Sequence, residues 1–149
     1  MTAIRLATPD DLPQLAALFN AYRVFYEQAS DIRLTEQFVA ERLNNKDSAI
    51  LVALNSEQKI IGFCQIYPRF CSVIAAKIGV LYDLFVDPSV RKSGAGKALM
   101  IASNEYAVEH GFARLDLTTA KTNLAAQALY ESLEWVRDEV FYSYSKEIS

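Results

Sequence analysis

The chain has 149 residues, a formal net charge of -3 and 52% hydrophobic residues, which predicts one domain built around one core. Its apolar runs, such as residues 49–54, are much shorter than the about 20 residues of a membrane-spanning helix, and its charge lacks the broad basic excess that nucleic acids require. Two cysteines without metal-ligand spacing favour reduced thiols, so we expect a cytoplasmic protein with no metal, no membrane partner and no nucleic-acid partner.

Helix-start signals and hydrophobic spacing predict the elements in chain order. Thr8 is a typical N-cap with Pro9 at the first helical position, and alternation over residues 114–119 is typical of a strand. The predicted elements are a strand near the start, helices over 8–26 and 35–44, strands over 49–54, 59–67 and 76–86, a helix over 97–110, a strand over 114–119, a helix over 123–133 and a strand over 141–145. This order predicts an α/β fold in which helices cover a mixed sheet.

The most specific pattern is a basic, glycine-containing loop between the strand that ends at Val86 and the helix that begins near Lys97. Its residues are Arg91, Lys92, Ser93, Gly94, Ala95 and Gly96. The first N–H groups of a helix have no internal partners and carry the positive end of the helix dipole, and glycines let an anion approach them closely. Basic residues add positive charge here to a mildly acidic chain. The loop therefore predicts a site for a small anionic ligand.

The spacing of this loop disfavours two common nucleotide-binding patterns. A Walker loop requires glycine at the position of Arg91 and serine or threonine at the position of Ala98. A dinucleotide fingerprint requires a third glycine at the position of Leu99 and a first glycine close to the strand end, whereas residues 87–93 intervene here. The loop thus indicates a phosphate site of another kind.

A second segment carries an asparagine and a tyrosine on one helix face. Asn123 and Tyr130 are seven residues apart, which is about two helical turns. Together with the pattern Arg-x-x-Gly-x-Gly at 91–96, this segment resembles the GNAT superfamily of N-acetyltransferases, and the resemblance covers essentially the whole chain. The family usually ends this helix with Gly-Phe, whereas this chain has Glu134 and Trp135, so the usual helix-terminating glycine is absent.

The resemblance implies a single GNAT-like domain over residues 1–149, with a mixed, mostly antiparallel sheet of six to seven strands and about four helices. It also implies acetyl-CoA as the acetyl donor and direct attack of an amine on the bound thioester. Tyr130 would be the general acid for the departing thiolate. The implied cofactor-binding residues are Leu84, Phe85, Val86, Arg91, Lys92, Ser93, Gly94, Ala95, Gly96, Lys97, Asn123 and Tyr130.

The base for the amine is less sharply defined. Asp83 lies just before the implied cofactor-binding strand residues, where it would attract a cationic amine or take its proton, but it equally suits a sheet-edge acid satisfied by backbone groups. Strand alternation places Asp83 on the face of Phe85, but a bulge would reset this alternation, which keeps Tyr82 as a second candidate. His110 ends a helix before Gly111, where a capping role is favoured over catalysis.

Tyrosines at the end of the first helix point to the acceptor. By the resemblance, Tyr22 and Tyr26 overhang the acceptor site, and with Tyr82 and Asp83 they suit a positively charged amine. We therefore expect an N-acetyltransferase for a primary amine, with a small amine or polyamine favoured over a protein lysine or N-terminus. A non-catalytic acyl-CoA-binding sensor is the alternative from another class of protein, and a homodimer is a further expectation.

Overall fold

The computed structural model describes residues 2–90 and 92–149, which form two compact units with a boundary between Leu117 and Thr118. The first unit contains strand β1 (Ala3–Leu6), a 3-10 turn (Pro9–Asp11), helices α1 (Leu12–Phe25) and α2 (Ile32–Asn45), strands β2 (Ala49–Leu54), β3 (Ile60–Cys71) and β4 (Ala76–Val86), a second 3-10 turn (Pro88–Val90), helix α3 (Ala95–Glu109) and strand β5 (Leu115–Asp116). The second unit contains helix α4 (Leu124–Ser132). None of the described helices combines the length and apolar character needed to cross a membrane.

The sheet has the strand order β1-β2-β3-β4-β5. Its first three pairs are antiparallel, and β4 and β5 are parallel. The described residues contain five strands, so the expectation of six to seven is wrong. Residues 141–145, which are all described, form no strand, and the strand expected over 114–119 shrinks to Leu115–Asp116. Aromatic and polar alternation gives a segment strand propensity, but pairing with a neighbour is what makes it a strand.

The sheet lies between two helical layers. All six residues of β2 are buried, because side chains alternate between faces and both faces are covered. On one face, Phe19 of α1 stacks on Phe63 of β3 with ring centroids 3.9 Å apart. On the other face, Ser103 of α3 approaches Cys64 of β3, with the Oγ and Sγ atoms 3.3 Å apart. Each large apolar side chain buried in these layers contributes roughly 1.5–3 kcal/mol of transfer free energy.

Helix α2 begins three residues earlier than the sequence predicts. Asp31 is its N-cap, and the Asp31 carboxylate accepts a hydrogen bond from the Leu34 backbone N–H. Thr35, the expected start, lies inside the helix, where its hydroxyl donates to the Asp31 carbonyl. Both residue types are good N-caps. Asp31 takes the role here because its backbone N–H also donates to the Asn20 side chain of α1, which closes the connecting loop.

Strand β3 continues beyond its expected end at Tyr67. Pro68 has no N–H to donate to a ladder, so proline is usual at strand ends and on edge strands. The pairing of β3 with β2 ends at Ile66, so Pro68 needs to satisfy only its pairing with β4, where it lies opposite Gly79. From Tyr67 to Cys71, β3 consequently pairs with β4 alone among the described residues.

Helix α4 has a side-chain cap at one end and a left-handed turn at the other. Asn123 is the N-cap, and its Oδ1 accepts a hydrogen bond from the Ala126 N–H. After the helix, Glu134 has a φ of 69° and the Trp135 N–H donates to the Tyr130 carbonyl. Glycine usually makes this turn, and a residue with a Cβ costs about 1–2 kcal/mol more there. Glu134 therefore keeps the turn without the usual glycine.

Candidate active site

A β-bulge in β4 determines where the candidate base lies. Gln65 pairs with Asp83, but the next residue of β3, Ile66, pairs with Leu81, so Tyr82 is an extra residue in β4. From Asp83 onward the alternation expected from the sequence holds, and Asp83 shares the α1 face of the sheet with Phe85. The Tyr82 side chain is 69% exposed.

The Asp83 carboxylate is held by hydrogen bonds from two different elements. The Tyr22 hydroxyl of α1 donates to Asp83 Oδ1 at 3.0 Å, and Gln65 Nε2 of β3 donates to Asp83 Oδ2 at 2.9 Å. Ser48 Oγ in turn donates to Gln65 Oε1 at 2.7 Å. Gln65 has no exposed surface, so the Ser48 hydrogen bond fixes its amide with the NH₂ group towards the carboxylate.

This environment changes the acidity of both Asp83 and Tyr22. Burial raises the pKa of Asp83, because the carboxylate loses hydration, while the hydrogen bonds from Gln65 and Tyr22 act in the opposite direction. Burial, followed by the negative charge of Asp83, raises the pKa of Tyr22. Tyr22 is therefore a neutral hydrogen-bond donor at physiological pH. A half-buried carboxylate with a raised pKa is typical of sites that bind cations or accept protons.

Four tyrosines form two ring pairs near this carboxylate: Tyr22 with Tyr26, and Tyr67 with Tyr82. The rings of Tyr22 and Tyr26 meet edge to face with centroids 5.2 Å apart, and those of Tyr67 and Tyr82 do so at 5.8 Å. Burial, followed by the charge of Asp83, raises the pKa of Tyr67 to about 12. Aromatic rings beside a carboxylate attract a cation, so this cluster suits an amine better than an anion.

An open pocket adjoins the bulge. Its volume is about 390 Å³, and it is lined by Tyr67, Pro68, Arg69, Val80 and Tyr82. Small-molecule sites commonly have volumes of roughly 300–1,000 Å³. The pocket therefore has room for a small organic molecule beside Tyr82, the residue that precedes Asp83.

Among the described residues, β4 has no strand partner on its far edge beyond Val80, on the side where α3 begins. Strand β5 pairs only with Gly79 and Val80, so the β5 ladder ends well before Val86. The Asp87 N–H donates to the Ile61 carbonyl of β3. Because backbone groups alternate in an antiparallel ladder, those of Leu84 and Val86 are directed away from β3, towards the open edge, whereas those of Phe85 face β3.

Helix α3 begins beside this edge with an exposed glycine turn. Its N-cap is Gly94, with a φ of 83°, and the preceding Lys92 has a φ of 68°. A Cβ on Gly94 would meet nothing within 4 Å, and one on Gly96 would meet only Val86 Cγ2, at 3.9 Å. The backbone at both glycines is therefore accessible to a ligand. Arg91, the first residue of the predicted motif, lies outside the described residues.

The start of α3 has the properties of an anion site. The first backbone N–H with a partner inside the helix is that of Ala98, which donates to the Gly94 carbonyl, so residues 95–97 direct their N–H groups out of the helix end. Ser93 Oγ accepts from the Ala95 N–H at 3.4 Å, which is a weak bond. Lys92 and Lys97 are exposed and add positive charge. Open glycines, N–H groups at the helix end and two ammonium groups fit the pyrophosphate of coenzyme A.

The two remaining motif residues belong to the second unit. Asn123 and Tyr130 lie two turns apart on the N-cap and body of α4, as the spacing predicts. The Asn123 carboxamide oxygen caps the helix, which the sequence did not indicate. Tyr130 packs against Trp135 with ring centroids 6.2 Å apart. Their roles towards a donor stay predictions.

Three further residues belong to the site and were not predicted from the sequence: Ser48, Gln65 and Tyr67. Gln65 did leave a signal, because it is a polar residue inside an otherwise apolar run of β3, and a fully buried amide requires a partner. His110 has the capping position that was expected, at the end of α3, with Nδ1 2.9 Å from the Tyr106 carbonyl. Among the described residues, no three His, Cys, Asp or Glu side chains are grouped as metal ligands would be.

A family model described as "Acetyltransferase (GNAT) family" matches residues 13–135. The chain belongs to the GNAT family. It is 43% identical over 141 residues to YhfO, an uncharacterised N-acetyltransferase of Bacillus subtilis, which covers 95% of this chain and 94% of that protein. It is also 35% identical over 100 residues to a mycothiol acetyltransferase of Salinispora tropica, covering 65% of this chain and 32% of that protein.

A solved structure agrees with the fold of this GNAT protein. The crystal structure of a probable acetyltransferase is 34% identical in sequence and superposes with a TM-score of 0.92, over 99% of this chain and 98% of the other. The expected family and enzyme class are thus confirmed: the protein is an acyltransferase, and the family implies acetyl-CoA as its co-substrate.

Proposed function

We propose that this GNAT protein transfers an acetyl group from acetyl-CoA to the primary amine of a small molecule. The observation that carries the proposal is the position of the Asp83 carboxylate. It is half buried, receives hydrogen bonds from Tyr22 and Gln65, and precedes the open strand edge at Leu84 and Val86. A carboxylate and tyrosines beside a candidate donor site would recognise a cationic amine.

Asp83 addresses the main barrier to amine acetylation, which is the proton on the amine. A lysine-like amine has a pKa of about 10.4, so its neutral form costs about 4–5 kcal/mol at pH 7. In the proposal, Asp83 attracts the ammonium group and then accepts its proton. A raised pKa makes Asp83 a better proton acceptor than an ordinary aspartate. Tyr82, in the bulge, lines the amine's approach.

The donor side of the proposal rests on the α3 start and the β4 edge. Acetyl-CoA supplies the activated acetyl thioester. The N–H groups of residues 95–97, Lys92 and Lys97 would bind its pyrophosphate, together with Arg91 from the motif. Backbone groups of Leu84 and Val86 would bind the pantetheine arm and stabilise negative charge on the thioester oxygen. Phe85 would contribute packing, since its backbone groups face β3.

Two roles come from the family motif alone. Tyr130 would protonate the departing thiolate, because a neutral phenol is a suitable general acid for a thiolate. Asn123 would bind the donor through its side-chain NH₂, because its carboxamide oxygen already accepts the Ala126 N–H. Since α4 carries both residues on one face, a single helix would present the Tyr130 hydroxyl and the Asn123 NH₂ group to the donor.

A small acceptor is favoured over a protein lysine or N-terminus. The pocket beside Asp83 has a volume of about 390 Å³, which suits a small molecule. A relative named as a mycothiol acetyltransferase supports the same size class. A peptide lysine is the competing acceptor, and a sensor that binds acyl-CoA without transferring the acyl group is the competing function.

Thiol release from acetyl-CoA by the purified protein tests this proposal. The panel contains polyamines, aminoglycosides, amino acids and lysine-bearing peptides, and calorimetry measures coenzyme A binding in parallel. Saturable thiol release with one class of small amine is the expected result. Thiol release with lysine-bearing peptides alone would indicate a protein acceptor instead of a small molecule. Coenzyme A binding without release across the panel would favour the sensor, and absence of binding would contradict the donor site.

A further inference from the structure

We infer that the acceptor carries an anionic group as well as its amine, and that Arg69 binds this group. The inference rests on the proposed function and names the acceptor class, an amine with a carboxylate or phosphate at its other end.

The first step is the direction in which an acceptor extends from Asp83. Along β4, Val86 lies beside Gly96 at the start of α3, followed by Leu84, then Asp83 at the bulge, and then Val80 in the pocket. The pocket is therefore on the opposite side of Asp83 from the phosphate loop. An acceptor whose amine is at Asp83 would place the rest of its structure in this pocket.

The second step is the charge at the far end of the pocket. Arg69 lines the pocket and is exposed. Within residues 2–90 and 92–149, it forms neither an ion pair nor a side-chain hydrogen bond. By contrast, the arginines with acidic partners are Arg5, Arg42, Arg114 and Arg137. A guanidinium without an acidic partner at one end of a pocket, with a carboxylate near the other, complements a molecule of the opposite polarity.

The third step is the spacing of the two charges. Asp83 pairs with Gln65, and Arg69 lies four residues further along β3, which is about 13 Å of strand. Side chains at alternate positions share a face, so Tyr67 lies between the two charged ends. The reach of the Arg69 side chain shortens this separation, and a chain of about six carbons between amine and anion would pass over the Tyr67 ring.

This arrangement disfavours a polyamine, which the sequence had favoured together with other small amines. A second ammonium group in the pocket would face the Arg69 guanidinium, and like charges at short range repel. An uncharged tail would avoid repulsion but would gain no ionic contact. Amines with similar six-carbon chains but a negative, neutral or positive far end therefore distinguish the alternatives.

The experiment compares kcat/KM for 6-aminohexanoate, 6-aminohexyl phosphate, hexylamine and 1,6-diaminohexane with saturating acetyl-CoA. We expect at least one anionic amine to exceed hexylamine by about tenfold or more, which is the value of a hydrogen bond to a charged group. The diamine should be the poorest acceptor. The better of the two anionic amines identifies the group as a carboxylate or a phosphate.

Charge reversal provides the decisive comparison. The Arg69→Glu variant should lose about tenfold or more with the best anionic amine and gain with the diamine, at unchanged melting temperature. Arg33→Glu, which makes the same charge change on exposed surface of α2, should keep the wild-type order. Equal use of hexylamine and the anionic amines, or an unchanged order in Arg69→Glu, overturns the inference and leaves the proposed transferase intact. No turnover with any of the four amines counts against both.

Discussion

Asp83 places a half-buried carboxylate between two hydrogen-bond donors, which gives it a defined effect on stability as pH changes. Its pKa is raised in the folded state, so the folded protein holds this proton more tightly than the unfolded chain. The contribution to stability is therefore largest below the unfolded pKa and falls as pH rises through the folded pKa. At pH 7, Asp83→Asn should leave the free energy of unfolding unchanged or higher, as measured by urea denaturation.

The neutral variant is tolerated because the hydrogen bonds can reverse. If the Gln65 amide turns over, its oxygen accepts from the new amide and its NH₂ donates to the Ser48 hydroxyl. Asp10→Asn, at an exposed acid, is the control for loss of one negative charge. A loss of more than about 2 kcal/mol in Asp83→Asn at pH 7 would show that the carboxylate stabilises the fold, contrary to its raised pKa.

Tyr22 adjusts the acidity of Asp83 from a different element. Its hydroxyl hydrogen bond lowers the Asp83 pKa against the effect of burial, so Tyr22→Phe should raise that pKa further. If Asp83 accepts the amine proton, the acidic limb of the kcat/KM profile should move to higher pH, with a stability loss of about 1 kcal/mol. Tyr106→Phe, on α3 and stacked on His110, is the control. An acidic limb that stays in place would separate Asp83 from proton transfer.

At the scale of elements, a glycine at the start of α3 lowers helix stability but keeps the backbone accessible to a ligand. In Gly96→Ala the new methyl group has only an ordinary contact with Val86, and alanine is favoured over glycine in a helix by about 1 kcal/mol. We expect this variant to be more stable by roughly 0.5–1 kcal/mol but to bind coenzyme A more weakly, because the methyl group covers the open N–H groups. Thermal unfolding and calorimetry measure the two effects.

Gly94→Ala is the matched comparison for this prediction. Its φ of 83° is unfavourable for alanine, although no neighbour lies within 4 Å, so this variant should lose about 1–2 kcal/mol of stability. If Gly96→Ala keeps full coenzyme A affinity, the helix start is not the pyrophosphate site.

Element boundaries show what local sequence could and could not determine. The glycine turn before α3 was predictable because glycines and a helix start act locally, and Asn123 was predictable as the start of α4. The start of α2 was missed because Asp31 and Thr35 are both good caps, and a tertiary contact with Asn20 decides between them. The extension of β3 past Pro68 was missed because proline is tolerated there only after the pairing with β2 has ended, and the sequence does not show where that pairing ends.

At the scale of the whole molecule, a half-exposed ion pair connects β1 to the 3-10 turn that precedes α1. Arg5 donates to both carboxylate oxygens of Asp11, at 2.7 and 2.9 Å, and the Thr8 N–H donates to the same carboxylate. The hydrogen bond from Arg5 is the main cause that lowers the Asp11 pKa. Its stabilising effect is present above the unfolded pKa and is lost as pH falls through the folded pKa.

Asp11→Asn should therefore lose about 1–2 kcal/mol at pH 7, since the half-exposed arginine reduces the value of the pair, and should approach the wild type in strong acid. Urea titrations from pH 7 down to about pH 2 measure this convergence. A difference in the free energy of unfolding that stays constant across that range would show that packing and neutral hydrogen bonds, rather than the charge of Asp11, account for its contribution.

The layered α/β architecture was predictable because it depends on hydrophobic patterns repeated along the whole chain, and the family was predictable from the two motifs at residues 91–96 and 123–130. The hydrogen-bonded centre was only half predictable. Asp83 and Tyr22 were each predicted from the sequence. Gln65 and Ser48 connect to Asp83 by hydrogen bonds beside a β-bulge, and no residue of β4 predicts where that bulge lies. The prediction of a strand at 141–145 was wrong for a related reason: alternation of side chains does not show whether a neighbouring strand is available for pairing.

The most direct test of the central claim is the pH dependence of thiol release by the wild-type protein and Asp83→Asn, with Asp10→Asn as control and the best amine of the panel as acceptor. We expect a wild-type acidic limb with a pKa above that of an ordinary aspartate, and a loss of about 100-fold or more in kcat/KM together with that limb in Asp83→Asn. Full turnover by Asp83→Asn with an unchanged profile would contradict a role for this carboxylate in acetyl transfer.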